Sequence, residues 1–282
     1  MVIFKAILPL QKYLHSQRLQ GTQVGFVPTM GALHAGHISL IDRAKNDGKC
    51  VVCSIFLNPK QFNDKNDFDK YPVSTEDDIA LLVKTGCDIL FLPATEEIYP
   101  PGIEVKVYDF GYLDTILEGG KRPGHFRGVG QVVGRLLEIV NPGTLYLGQK
   151  DYQQCMVIYK LKEMMGLYSL EVVIAPTLRE EDGLAMSSRN RRLTHPARAT
   201  AALLYQCLVS IQAKQGSTPF SIVKKECLEL LECKGFETEY VALAAAAGLT
   251  LLDDYMPGVA TVALIAAKIG EIRLIDNILL EQ

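Results

Sequence analysis

The chain has 282 residues, 48% hydrophobic and 22% charged, with a formal net charge of −3. That length predicts one large domain or two unequal ones, with enough apolar residues for a sizeable core. The mild negative balance excludes a global field suited to nucleic acid or an anionic membrane, and no apolar run approaches the about 20 residues of a membrane span.

The opening segment is interrupted by Lys5 and Pro9 and has no small-residue cleavage site, so it does not read as a signal peptide. From there to about residue 175, short apolar runs alternate with helical patterns. Strands are expected at Gln23–Val27, Cys50–Leu57, Ile89–Leu92, Glu104–Tyr108, Thr144–Leu147 and Glu171–Ile174. Helices are expected at Gly36–Asn46, Thr75–Thr85, Gly128–Val140 and Tyr152–Met165. Strands separated by crossover helices predict an α/β fold, a Rossmann-like doubly wound parallel sheet. Ligands of such sheets sit beyond the carboxyl ends of the strands.

After Pro176 the pattern changes. A polar turn cluster, Arg179 to Gly183, precedes Ser187, Ser188, Arg189 and Asn190. Helical stretches follow at Pro196–Lys214 and Pro219–Cys233, then strand-like pieces at Thr238–Leu243, Val259–Ala267 and Glu271–Ile275, with Ala244–Ala247 read as helix or loop packing. Helices followed by a meander predict a second, smaller α+β domain. The expected division is 1–177 and 178–282.

The seven cysteines are scattered and odd in number. Cys50 and Cys53 have the spacing of half a zinc site or a redox pair, but no second pair completes it and the segment reads as a buried strand. Reduced thiols point to a cytoplasmic protein.

The sharpest chemical feature is the run from Pro28 to His37, where an apolar strand enters a turn punctuated by Gly31 and Gly36 and a helix follows. A helix N-terminus offers unsatisfied N–H groups and the positive end of its dipole, an anion site. His34 and His37, three apart on its first turn, can both face a group bound there and stabilise charge developing on a phosphate. Zinc would want a third ligand nearby and histidines four apart. Further on, Ser187, Ser188 and Arg189 place two hydroxyls and a guanidinium in one loop, a set suited to a polyphosphate. By itself that loop would read as a surface turn, and its value comes from the pairing with the histidines.

The histidine element resembles the His-x-Gly-His nucleotidyltransferase superfamily. Together with Asn58 to Phe62, Tyr71-Pro72, Arg122 to Arg127, Gly148 to Gln154, Asp182 to Asn190 and Ile269 to Asp276, it resembles the pantothenate synthetase (pantoate–β-alanine ligase) family over nearly the whole chain. The resemblance implies a cytoplasmic homodimer that adenylates pantoate with ATP and passes the acyl group to β-alanine, releasing AMP and pyrophosphate. It implies an ATP- and pantoate-binding larger domain and a smaller lid domain. Mg²⁺ would be bound mainly through the phosphates, with Asp77 or Asp78 able to help and no dedicated metal site in the protein.

It implies ATP contacts from Met30, Gly31, Ala32, Leu33, His34, Ala35, Gly36 and His37, from Gly148, Gln149, Lys150 and Asp151, and from Leu178, Met186, Ser187, Ser188 and Arg189. Of these, His34, His37, Lys150 and Arg189 would be catalytic. Met30, Asn58, Gln61, Tyr71 and Gln154 would bind the substrate, and the Phe62–Tyr71 stretch would be a mobile wall. The sequence departs from the family pattern at Gln149, where Glu is usual, at Val73, usually basic, and across Ala244–Leu249. A related enzyme that transfers AMP onto a phosphorylated substrate or tRNA is one rival; the net charge disfavours tRNA, and an acceptor phosphate would want more basic residues than Gln61 and Gln154 supply. A non-catalytic nucleotide sensor is another, disfavoured by retention of the histidines and Lys150.

Overall fold

Apolar runs rich in Val, Ile and Phe, each too short for a helix, become the strands of a six-stranded parallel sheet in a computed structural model, which describes residues 1–102 and 104–280. The strands are β1 (Val2–Phe4), β2 (Val24–Thr29), β3 (Cys50–Ile55), β4 (Ile89–Phe91), β5 (Thr144–Gly148) and β6 (Glu171–Ala175), in spatial order β1-β4-β3-β2-β5-β6. The helices between them are α1 (Ile7–Leu19), α2 (Ala35–Asn46), α3 (Lys65–Asp69), α4 (Thr75–Lys84), α5 (Thr95–Ile98), α6 (Leu117–Lys121), α7 (His125–Val140) and α8 (Tyr152–Met164).

The chain falls into two compact units, one made of Met1–Gly148 and Val157–Pro176, the other of Gln149–Met156 and Thr177–Gln282. In the first, the strand order reverses beside β2: the chain goes to β3 on one side, while β5 lies on the other, pairing Gly25 with Thr144 and Phe26 with Leu145. Right-handed crossovers then put α2 and α4 on one face and α1, α7 and α8 on the other. The core agrees, because Leu40, Ile41 and Ala44 of α2 pack with Leu82 of α4 over Val27, Val51 and Cys53. The reversal at the end of β2 makes the segment after Thr29 the switch point of the sheet.

The second unit has a four-stranded antiparallel sheet in the order β10-β9-β7-β8, from β7 (Phe236–Ala245), β8 (Leu251–Leu252), β9 (Thr261–Ile269) and β10 (Ile272–Leu280). Its helices are α9 (His195–Ala201), α10 (Leu203–Ala213) and α11 (Phe220–Cys233). Leu204, Leu208 and Ile211 of α10 and Val223, Cys227 and Leu231 of α11 cover alternate residues Ala263, Ile265 and Ala267 of β9.

Several expectations are corrected. Residues 104–110 form no strand. Tyr108 and Phe110 instead lay their rings on the glycines of α7, where a Cβ at Gly130 would stand 2.6 Å from Phe110 and one at Gly134 3.1 Å from the Tyr108 hydroxyl. Their apolar alternation fills a helix groove rather than a sheet. Ala244 and Ala245 are strand residues, paired with Val262 and Thr261. The stretch expected as one helix over Pro196–Lys214 is two, α9 and α10, parted at Ala202. Strand β1 and helix α1 had no counterpart in the sequence reading.

Cys50 and Cys53 are free thiols on β3, and burial pushes Cys53 well up from the ordinary thiol range, an inert core residue. Among the described residues no helix is long and apolar enough to cross a membrane.

Candidate active site

In the first unit the site begins where β2 ends. Thr29 donates its hydroxyl to the Ser54 carbonyl at 2.7 Å and receives the Gly31 N–H at 3.3 Å, which starts the turn. Gly31 takes φ +83, and Ala32 follows at φ +49, a left-handed conformation that costs a side chain energy. What holds it there is Asp78 of α4. Its two carboxylate oxygens accept the Ala32 and Leu33 N–H groups at 2.8 Å each, and the Ser74 hydroxyl is 3.2 Å away. Asp78 is 2% exposed. Met30, Gly31 and Ala32 then form one wall of a cavity of about 230 Å³, with Ile55, Phe56 and Thr75 among the others.

His34 caps α2. Its Nδ1 accepts the Gly36 N–H at 3.2 Å, while the Nδ1 of His37 accepts the His34 N–H at 3.3 Å, and the two rings lie 4.1 Å apart. A neutral imidazole that accepts at Nδ1 carries its proton on Nε2. Both histidines therefore present Nε2–H donors at the positive end of a twelve-residue helix. Ala35 and Gly36 form the first turn between them.

Asn58, after β3, caps a 3-10 turn over Pro59–Gln61 by accepting the Lys60 N–H at 3.2 Å. It is fully buried, donating from Nδ2 to the Gln61 Oε1 and to the Gly128 carbonyl, both at 3.1 Å, and accepting from the Tyr99 hydroxyl at 2.9 Å. Burial pushes the Tyr99 hydroxyl up, so it stays a donor. With its oxygen committed to Asn58, Gln61 turns its NH₂ toward the Met30 sulfur, 3.1 Å away. Asn58 thus stands behind Gln61 and orients it. Tyr71 is buried with its ring edge-on to Phe62 at 5.7 Å, and Phe62 meets Phe68 at 5.2 Å, so the 62–71 stretch is tied by an aromatic cluster around the short helix α3. Gly148 closes β5 opposite Ala175.

The other expected residues belong to the second unit. Gln149–Asp151 form a 3-10 turn leading into α8, on whose first turns Gln154 is half-buried. The Lys150 ammonium lies 3.5 Å from Asp151, its side chain 19% exposed. Asn277 of β10 grips this turn, donating from Nδ2 to the carbonyls of Gln149 at 2.9 Å and Lys150 at 2.8 Å, and accepting the Gln149 amide at 3.2 Å. Elsewhere in the unit, the Met186 N–H reaches the Leu178 carbonyl at 3.0 Å, bringing those two residues side by side. Ser187 caps the 3-10 turn Ser188–Arg192 and receives the Arg189 N–H at 3.3 Å. Among the described residues no three His, Cys, Asp or Glu side chains group to hold a metal ion, and Asp78 has both oxygens on backbone N–H groups.

The sequence model of the family described as Pantoate-beta-alanine ligase matches residues 2–279. The chain belongs to the pantoate–β-alanine ligase family. It is 44% identical to the pantothenate synthetase of Cytophaga hutchinsonii over 283 residues, 99% of each chain, and 42% identical to that of Thermus thermophilus over 257 residues, 90% of this chain and 92% of the relative. The crystal structure of the Thermus thermophilus protein superposes with a TM-score of 0.91 at 39% identity, covering 99% of each chain. That of the Francisella tularensis ligase, complexed with β,γ ATP and β-alanine, superposes at 0.82 and 35% identity, covering 99% of this chain and 97% of that one. The protein is accordingly a ligase joining pantoate to β-alanine.

Sequence reasoning missed the residues that hold the site residues in place: Tyr99, Gly128, Arg179 and Asn277. It named Asp78 only as a possible aid to Mg²⁺. The one sequence signal for Arg179 and Asn277 was their place in or beside the quoted motifs, since Asn277 directly follows the Ile269 to Asp276 segment.

Proposed function

We propose that this ligase works through a pantoyl-adenylate formed from ATP, and that the residues above divide the work. The reading rests above all on His34 and His37 at the start of α2, where a backbone N–H group occupies each Nδ1 and leaves the ring proton on Nε2. Preorganised donors of that kind favour charge developing on a transferring phosphoryl group.

In the first unit, His34 and His37 stabilise the α-phosphate, the Met30–Gly36 segment lies against the nucleotide, and the amide of Gln61 holds pantoate. Gly148, the last residue of β5 in the first unit, meets the ribose. In the second, Lys150 supplies a fixed positive charge, Asp151 after it meets the ribose, Gln154 contacts pantoate, and Ser187, Ser188 and Arg189 hold the β- and γ-phosphates. The pantoate carboxylate attacks the α-phosphorus in line and pyrophosphate departs. The neutral amine of β-alanine then attacks the acyl carbon, and AMP leaves with the electron pair of the broken acyl–oxygen bond. Because the mixed anhydride hydrolyses, exclusion of water by the smaller domain, residues 178–282, acting as a lid is part of the scheme. Mg²⁺ accompanies the nucleotide through the phosphate oxygens, without a protein cage. The resemblance also implies a cytoplasmic homodimer.

Exchange of labelled pyrophosphate into ATP tests the scheme. Exchange should require pantoate, and a folded sample that exchanges none sinks the adenylate. His37→Ala and Lys150→Ala should each slow exchange about 10²–10³-fold, the scale of losing one preformed donor. Unchanged exchange in either variant removes its residue from the chemistry.

A further inference from the structure

Behind Lys150 lies a polar network that the reaction scheme leaves unused. Arg179 forks onto Asp276, with Nη1 2.6 Å from Oδ2 and Nη2 3.0 Å from Oδ1. Its guanidinium also lies 3.8 Å above the Tyr205 ring and donates to the Gly183 carbonyl at 3.0 Å and the Asn277 carbonyl at 3.3 Å. Asp276 is 4% exposed and accepts the Asn277 N–H at 2.8 Å. Burial pushes the Asp276 carboxyl up and Arg179 opposes it, so the guanidinium is what offsets the cost of a buried carboxylate there.

Asp276 and Asn277 are consecutive residues of β10, so their side chains leave opposite faces of the sheet. One face receives Arg179 and Tyr205. The other receives the Gln149–Lys150 turn, whose two carbonyls share the Asn277 amide. Arg179 also reaches the other phosphate-handling segment of this unit. It bridges Ala185 in an antiparallel pair and holds Gly183, the entry to Ser187, Ser188 and Arg189. Gly183 sits at φ +93 with no room for a Cβ, which would stand 2.3 Å from the Tyr205 ring.

We infer that Arg179 and Asn277 are positioning residues for the ligase reaction. Arg179, through Asp276, braces the strand on which Asn277 fixes the backbone that presents Lys150, and through Gly183 it braces the chain entering the Ser187–Arg189 loop. This rests on the proposed roles of Lys150 and of that loop. A guanidinium is required because a lysine cannot fork onto both carboxylate oxygens, reach a carbonyl and stack on Tyr205 at once.

The test compares Asn277→Ala, Arg179→Lys, Lys150→Ala and the double variant Lys150→Ala/Asn277→Ala in pantoate-dependent pyrophosphate exchange. Thermal melting checks that each is folded, and Asn277→Asp stands in if the alanine variant is not. Asn277→Ala and Arg179→Lys should lower kcat about 10- to 100-fold, as small misplacements of catalytic groups do, with KM for pantoate unchanged. The double variant should be no slower than Lys150→Ala alone, because Asn277 acts through Lys150. Wild-type kcat in Asn277→Ala while Lys150→Ala is slow overturns the inference alone. So does a double variant in which Asn277→Ala costs as much as it does in the wild type. Normal exchange by Lys150→Ala overturns the assignment of Lys150 and the inference together.

Discussion

Asp78 illustrates how one side chain sets a functional loop. The left-handed Ala32 is tolerated because two charge-assisted hydrogen bonds over-determine the backbone at 32 and 33. Asn in its place keeps the shape but turns an amide NH₂ toward a backbone N–H, leaving a buried donor unpaired. Asp78→Asn should therefore lose about 1–3 kcal/mol of stability in denaturant unfolding, with exchange activity reduced as the Met30–His34 backbone relaxes. A variant with wild-type stability would show that the loop holds itself. In the sequence Asp78 is one of three acidic residues starting α4, and nothing local distinguishes it from Glu76 and Asp77. The histidines were legible because both their own type and the strand–turn–helix context are local. Gln61 was legible as a residue, but the orientation of its amide was not, since Asn58 and Tyr99 set it.

At the scale of elements, α7 is placed by its glycines. A Cβ at Gly128 would lie 2.4 Å from the Lys60 carbonyl and 2.7 Å from the Gln61 Cα, so the helix can approach the Asn58–Gln61 turn only with hydrogen at that position. Here backbone meets backbone, so no side-chain rotation relieves the contact. Gly128→Ala should cost about 1–3 kcal/mol, as overpacking does, and raise KM for pantoate more than it lowers kcat, because Gln61 is displaced. Denaturant midpoints and steady-state kinetics read both effects, and an unchanged KM would detach Gln61 from pantoate binding. The same glycine face explains the misread 104–108 segment. Alternation at Tyr108 and Phe110 is the signature of a half-buried surface, and the chain alone does not say whether a strand or a helix covers it.

For the whole molecule, the proposed homodimer predicts sedimentation at twice the chain mass, independent of ATP, at micromolar concentration. A monomer under those conditions would remove the homodimer. The sheet of the first unit was readable in chain order, because each strand is a short apolar run bounded by turn signals. Its spatial order was not, since pairing joins segments far apart, as β1 joins β4. The opening residues went unread for the same reason. Val2–Phe4 is too short to signal a strand until β4 lies beside it.

What the amino-acid sequence determined by itself was the alternation of strands and helices, the histidine-bearing helix start after β2, the Ser187–Arg189 loop and the family. Periodicity and motif spacing are local properties, and each strand-to-helix junction carries its own chemistry. Only the tertiary structure decided which groups hold that chemistry in register. Asp78 reaches Ala32 across 46 residues, Arg179 reaches Asp276 across 97, and Asn277 reaches Lys150 across 127. Partners at such separations are chosen by the packing of sheets and helices, and buried polar groups are satisfied by whatever that packing brings within hydrogen-bond distance.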